Sequence, residues 1–314
     1  MRLSVREVFD LSERCFRAAG FADGAARANA ESIWWTELTK GSGLTLLHDL
    51  LDELQDLDRG RLTRRRRGAV PVVDGDDQPS IVSGTPTLDL CCARAERRGL
   101  GLAYTTVAPG DDTVAALGHV AHAAAERGLR SVVLYANRAD DAVTITGEPA
   151  RPYPVVGEAD LAAPSVAHAR ILDAVDDGPA DHSTDLLTHA LFDGDGDEDE
   201  RAATVEERVL SRLLDDATTP AEERPDVPAG FVTICFDPTH PTQPRRAERA
   251  FREGMDASTD VRRPEQVDTR ADRLLREGVE IERGVWEDVF EYSSDVLAPE
   301  FEGSYRGAGF EINE

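Results

Sequence analysis

One stretch constrains the fold more than any other. Residues 87–136 alternate helix, strand, helix and strand, with short loops between them. Thr87–Arg98 reads as a helix and LGLAYTTV (100–107) as a strand. Asp112–Arg127, built of alanines and other small residues, reads as a helix that Gly128 closes, and RSVVLYA (130–136) as a strand. A helix between two strands is a crossover, so the two strands are expected to be parallel or nearly so. Ala69–Val73, Ala142–Thr146 and Phe231–Phe236 supply further strands. The class is therefore α/β with mixed α+β character.

The ends of the chain read as helices. Ser4 and Glu7 have capping-box spacing, and Val8, Leu11, Cys15 and Phe16 follow as an apolar stripe that Gly20 stops. Asp23 is expected to cap a second helix through Thr39, broken by Gly41 and Gly43. Leu47, Leu50, Leu51, Leu54 and Leu57 place a third helix over 46–57. Thr269–Arg276, ending at Gly278, and Val285–Leu297 are the last two. Between residues 147 and 228 the pattern weakens. Leu161–Val175, Asp185–Phe192 and Val205–Asp216 are short helical candidates there, 193–200 (DGDGDEDE) is an acidic loop and 217–228 a linker. Arg245–Met255 is helical.

Charge narrows the function classes. The 314 residues carry a formal charge of −26, and Lys40 is the sole lysine. Such a surface repels phosphate backbones and anionic lipid, so neither nucleic acid nor a membrane is an expected partner. No run approaches the ~20 apolar residues of a spanning helix. MRLSVREVF lacks a signal-peptide core, so the expected location is cytoplasmic. Acid spread over the whole chain with almost no lysine reads as adaptation to a salty cytoplasm, where a Debye length near 3 Å at molar salt screens self-repulsion. The alternative is a docking face for a basic protein. RGRLTRRRR (59–67) is the one basic run, read as a solvated link, with an anion clamp as the alternative.

Generic catalytic and metal motifs are missing. There is no G-x-G-x-x-G, P-loop, G-x-S-x-G or H-E-x-x-H. Cys15, Cys91, Cys92 and Cys235 lack metal-ligand spacing and read as buried free thiols. The acidic loop starts like a calcium loop but has Glu198 where the turn glycine belongs and Thr204 where the bidentate glutamate belongs. His119 and His122, one helical turn apart, lack an evident third ligand, so no metal is expected. His48, near a helix start, and His182, in a loop, read as surface residues, with proton transfer as the alternative.

Three blocks, in order, resemble the type-2 malate/L-lactate dehydrogenase family of NAD(P)-dependent 2-hydroxy and 2-keto acid oxidoreductases. The first is RAAGF, then ADGAARANAESIWWTELTKGSGL, then a leucine-rich helix ending DRGRL. The second is ARAERRGLGLAYTTVA, a loop, and LGHVAHAAAERGLRSVVLYAN; the third is FVTICFDPTH and RADRLLREGVEIERGVWEDV. The resemblance implies a non-Rossmann mixed-sheet domain that binds NAD or NADP, and a helical domain built from both chain ends. The corresponding boundaries are 1–66 plus 275–314 for the helical part and 67–274 for the sheet. It also implies a homodimer with the active site near its interface.

The residues that depart from the family pattern are those nearest the chemistry. The family's Ser-His-Gly stands here as Lys40-Gly41-Ser42-Gly43, without the histidine. His48 becomes the substitute proton donor, Lys40 or Arg64 the carboxylate holder, and Ser42 the third catalytic candidate. The family's Asn-x-x-His-Phe-Gly loop is Ala108-Pro109-Gly110-Asp111-Asp112, which leaves Gly110 and, after the next strand, Asn137 as cofactor contacts. Asp111 and Asp112 stand where a cofactor phosphate needs neutral or basic donors. Two functions follow: a divergent dehydrogenase acting on a small 2-hydroxy or 2-keto acid, or a non-catalytic relative that binds a partner or forms a dimer.

Overall fold

The computed structural model describes residues 1–57, 63–67, 70–75, 78–108, 111, 113–137, 141–151, 153–159, 229–240, 251–252, 255–256 and 258–294. The expected helices over 161–175, 185–192 and 205–216, the acidic loop, the linker and His182 lie outside them, as does most of 245–255.

Three helices open the chain: α1 (Val5–Ala18), α2 (Asp23–Lys40) and α3 (Gly43–Asp56). The capping box of α1 forms: the Glu7 amide donates to Ser4 Oγ at 3.2 Å and the Ser4 amide to Glu7 Oε2 at 2.6 Å. Helix α2 departs from expectation, because Ala22 holds the cap position and Asp23 is the first helical residue. It ends at Gly41 in the left-handed region (φ 75°), a conformation that favours glycine. Helix α3 starts three residues before the expected Leu46 because Glu37 of α2 supplies a cap from outside: its Oε2 accepts the Leu44 amide at 3.3 Å. Glycine is required at 43, since a Cβ there would collide with the Ile33 carbonyl and the Glu37 backbone.

Beyond these come β2 (Thr63–Arg67), β3 (Val70–Asp74), α4 (Ser80–Arg98), β4 (Leu100–Thr106), α5 (Leu117–Glu126), β5 (Arg130–Asn137), β6 (Asp141–Glu148), β7 (Val155–Ala159) and β8 (Gly230–Phe236). A 3₁₀ turn, Thr113–Ala116, precedes α5. The basic run is therefore not a link where it is described: Thr63–Arg67 is a strand, antiparallel to β3 with Arg64 opposite Val73. Helix α4 begins seven residues before the expected Thr87, with Pro86 inside it.

The mixed sheet has the order β2-β3-β4-β8-β5-β6-β7-β9, where β9 is Asp260–Arg262. Among the described strands only β3 and β4 pair in parallel. Strands β4 and β5 run in one direction, as the crossover requires, but they are not neighbours. Strand β8 lies between them, antiparallel to both and buried along all of its length. This arrangement is not a doubly wound dinucleotide fold. The core here packs α4 and α5 onto the sheet through Leu88, Leu117, Val133 and Phe231.

A second core joins the two ends of the chain. Strand β1 (Arg2–Leu3) pairs antiparallel with β10 (Val279–Glu280). Helices α6 (Pro264–Glu277) and α7 (Arg283–Ser294) pack with α1–α3 around Phe16, Ile33, Leu47 and Val289. The boundary expected between residues 274 and 275 falls inside α6. All four cysteines are buried free thiols.

Candidate functional site

The three expected catalytic residues lie at the end of α2, at the α2–α3 turn and in the second turn of α3, and the structure does not bring their side chains together. Lys40 closes α2, and its Nζ lies 3.1 Å from Glu158 Oε2 on β7. Glu158 also takes Arg262 Nη1 at 3.2 Å, and Arg262 Nη2 reaches Asp260 at 2.7 Å. The Lys40 charge is thus committed within a chain of ion pairs linking α2, β7 and β9. Ser42 occupies the cap position of α3 without a side-chain capping bond. Arg270 of α6 covers the turn, its Nη2 donating to the Glu37 carbonyl at 3.3 Å.

His48 lies in the second turn of α3. Its Nε2 is 2.9 Å from Asp288 Oδ2 on α7 and its Nδ1 is 3.2 Å from Asp49 Oδ1. The Asp288 hydrogen bond leads in raising its pKa; partial desolvation works against it, and Asp49 adds to the rise. Protonated His48 therefore spends both N–H groups on carboxylates and staples α3 to α7. A carbonyl would have to displace one of them to receive a proton. Of the expected cofactor contacts, Asn137 ends β5 opposite Asp141, and Gly110 lies outside the described residues, as does Asp112.

The loop before α5 does something the sequence did not announce. Asp111 is 8% exposed and turns inward. Its Oδ2 accepts the Ser80 amide at 3.0 Å, and its Oδ1 accepts the Thr113 amide at 2.9 Å and the Thr113 hydroxyl at 2.5 Å. Thr113 Oγ1 in turn accepts the Ile81 amide at 3.1 Å and sits 2.8 Å from Ser80 Oγ. Tyr135 fixes the loop by donating to the Asp111 carbonyl at 3.3 Å. Pro79 at the cap of α4 has no side chain able to do this, so a carboxylate from 31 residues away closes the helix start. The sequence pattern places the start of this helix at Thr87, so nothing in it points to a cap at Ser80.

His119 and His122 face the interior. His119 Nδ1 lies 2.9 Å from Ser32 Oγ, and the His122 ring centroid is 4.1 Å from that of Trp35. Burial pushes their pKa values down to about 4 and about 3, so both are neutral and tie α5 to α2. Among the described residues no group of three His, Cys, Asp or Glu could hold a metal ion. Nor is any described helix long and apolar enough to cross a membrane.

A nicotinamide dinucleotide asks for backbone N–H groups or free cations at its pyrophosphate. In the part of the fold where the sequence resemblance puts the cofactor, Asp111 and Thr113 fill the start of α4, and Lys40 and Arg262 share Glu158. Neither of these two places fits that group.

No protein-family model and no curated protein matches the chain. Solved structures do. A dehydrogenase from Sinorhizobium meliloti is 17% identical at a TM-score of 0.55, covering 93% of this chain and 99% of that one. Malate dehydrogenase from Pyrococcus horikoshii is 14% identical at 0.55, covering 96% and 97%. Sulfolactate dehydrogenase from Methanocaldococcus jannaschii is 15% identical at 0.53, covering 94% and 97%. At these identities the likeness is one of fold. The described residues have a dehydrogenase-like mixed-sheet fold.

Proposed function

We propose that this chain keeps a dehydrogenase fold as a cytoplasmic, homodimeric binding protein that does not transfer hydride. The observation that carries this reading is Asp111. In the loop where the sequence resemblance places a cofactor contact, a carboxylate occupies the helix start that an anionic ligand would need. The commitment of Lys40 to Glu158 and of His48 to Asp288 supports the same reading.

Titration of NADH and NADPH at molar salt tests it, with fluorescence transfer from Trp34, Trp35 and Trp286 as the signal. No transfer is expected from either cofactor. Binding with turnover of malate, lactate or pyruvate would overturn the reading.

The divergent dehydrogenase is the second reading, and the end-to-end match to malate and sulfolactate dehydrogenase structures favours it. In that case NAD or NADP supplies the hydride, a small 2-hydroxy or 2-keto acid is the substrate, and His48→Ala abolishes turnover. Full activity in that variant would remove His48 from the role.

A further inference from the structure

Helix α2 begins without a cap. Ala22 offers no side-chain acceptor, and the first amide bonded inside the helix is that of Ala26, to the Ala22 carbonyl at 2.9 Å. The amides of Asp23, Gly24 and Ala25 take no acceptor among the described residues. Gly24 and Ala25 line a cleft of about 460 Å³ between the α1–α2 turn and one face of α4. Phe21, Val82 and Pro86 give it apolar walls, and Gly24, Asn29 and Thr85 line the remainder.

Two details set this cleft apart from an ordinary bare helix end. Asn29 lines it at 2% exposure, and none of the side-chain hydrogen bonds among the described residues involves its amide. An amide so placed can donate to or accept from a ligand in the cleft. Pro86 has no N–H, so it frees the Val82 carbonyl from the helix ladder, and both residues line the cleft. Gly24 faces open space, for a Cβ built there meets nothing within 4 Å.

We propose that this cleft binds a small monocarboxylate with an apolar body. The carboxylate sits on the free amides of the α2 start, where the helix dipole favours negative charge, and Asn29 satisfies its polar edge. The apolar body lies on Phe21, Val82 and Pro86. A volume of this size suits a ligand on the order of ten heavy atoms. Multiply charged anions are disfavoured, because the nearby cations are already paired: Arg17 with Asp23 at 3.3 Å and Arg127 with the lining residue Asp89 at 2.8 Å. Helix α2 is 18 residues long, roughly 27 Å, so the cleft lies far from the Lys40 end. The inference goes beyond the reading above, since it holds whether or not the chain transfers hydride.

Calorimetry on the full chain at molar salt, with phenylacetate as probe, tests it. Phenylacetate is expected to bind at least about tenfold more tightly than uncharged phenylacetamide, with inorganic phosphate failing to displace it. In amide NMR spectra the Gly24 and Ala25 signals shift on binding. Asn29→Ala weakens binding about tenfold. Gly24→Leu fills the cleft and abolishes binding with the far-ultraviolet circular dichroism unchanged. No heat up to ~10 mM phenylacetate, equal binding of the amide, displacement by phosphate, or full binding by a folded Gly24→Leu variant would each overturn the proposal. NADH titration reads a separate event, so the two readings fail independently.

Discussion

His48 shows how much a single side chain's neighbours decide. Position alone made it a proton donor; Asp288 and Asp49 make it a charged staple between α3 and α7. Its folded pKa is raised, so its contribution to stability is complete below the ordinary histidine value near 6.5 and disappears as pH rises through the raised value. An NMR titration is expected to place its midpoint above ~6.5, and Asp288→Asn to bring it back. A midpoint at or below the ordinary value would contradict the assignment. Asp111 is the second residue with a measurable role. Asp111→Ala strips an acceptor from the Ser80 amide and two from Thr113, and is expected to lower stability by about 1–3 kcal/mol in denaturant unfolding. The wild-type midpoint in that variant would count against the capping role. Neither role was legible in the sequence, because both partners come from elements distant along the chain. What was legible was simpler: four cysteines in apolar surroundings, all buried as thiols.

The helices were readable where one apolar face repeats. Helices α1, α3 and α7 appear within a few residues of their sequence positions because burial of Leu11, Leu47 or Val289 follows from helical spacing alone. Their starts were less readable. Pro86 hid the first two turns of α4, and Glu37 moved the start of α3 upstream to Gly43. Strand order was harder still. Strand β8 lies more than 90 residues after β5 in sequence and still separates it from β4, a long-range pairing that no local pattern encodes. Gly43 gives an element-scale test of the α2–α3 contact. Gly43→Ala is expected to cost about 1–3 kcal/mol, because its methyl meets the Ile33 carbonyl and the Glu37 backbone. Gly284→Ala, with nothing within 4 Å, serves as the neutral control. Equal thermal midpoints for the two variants would show that α3 does not seat on α2 as described.

At the scale of the whole molecule the charge of −26 dominates. With carboxylates in such excess, folding is expected to need counter-ions, and dilution from molar to millimolar salt is expected to unfold the chain as followed by circular dichroism. A spectrum unchanged by dilution would refute salt adaptation. The pairing of β1 with β10 bears on the birth of the protein rather than its working life. A ribosome adding about 5–20 residues per second leaves Leu3 without Val279 for tens of seconds. Through that interval α1, α2 and α3 have emerged with the faces that α6 and α7 will cover still bare. The nascent chain must therefore be shielded by chaperones, or kept from its neighbours by its own charge, until α6 and α7 leave the exit tunnel.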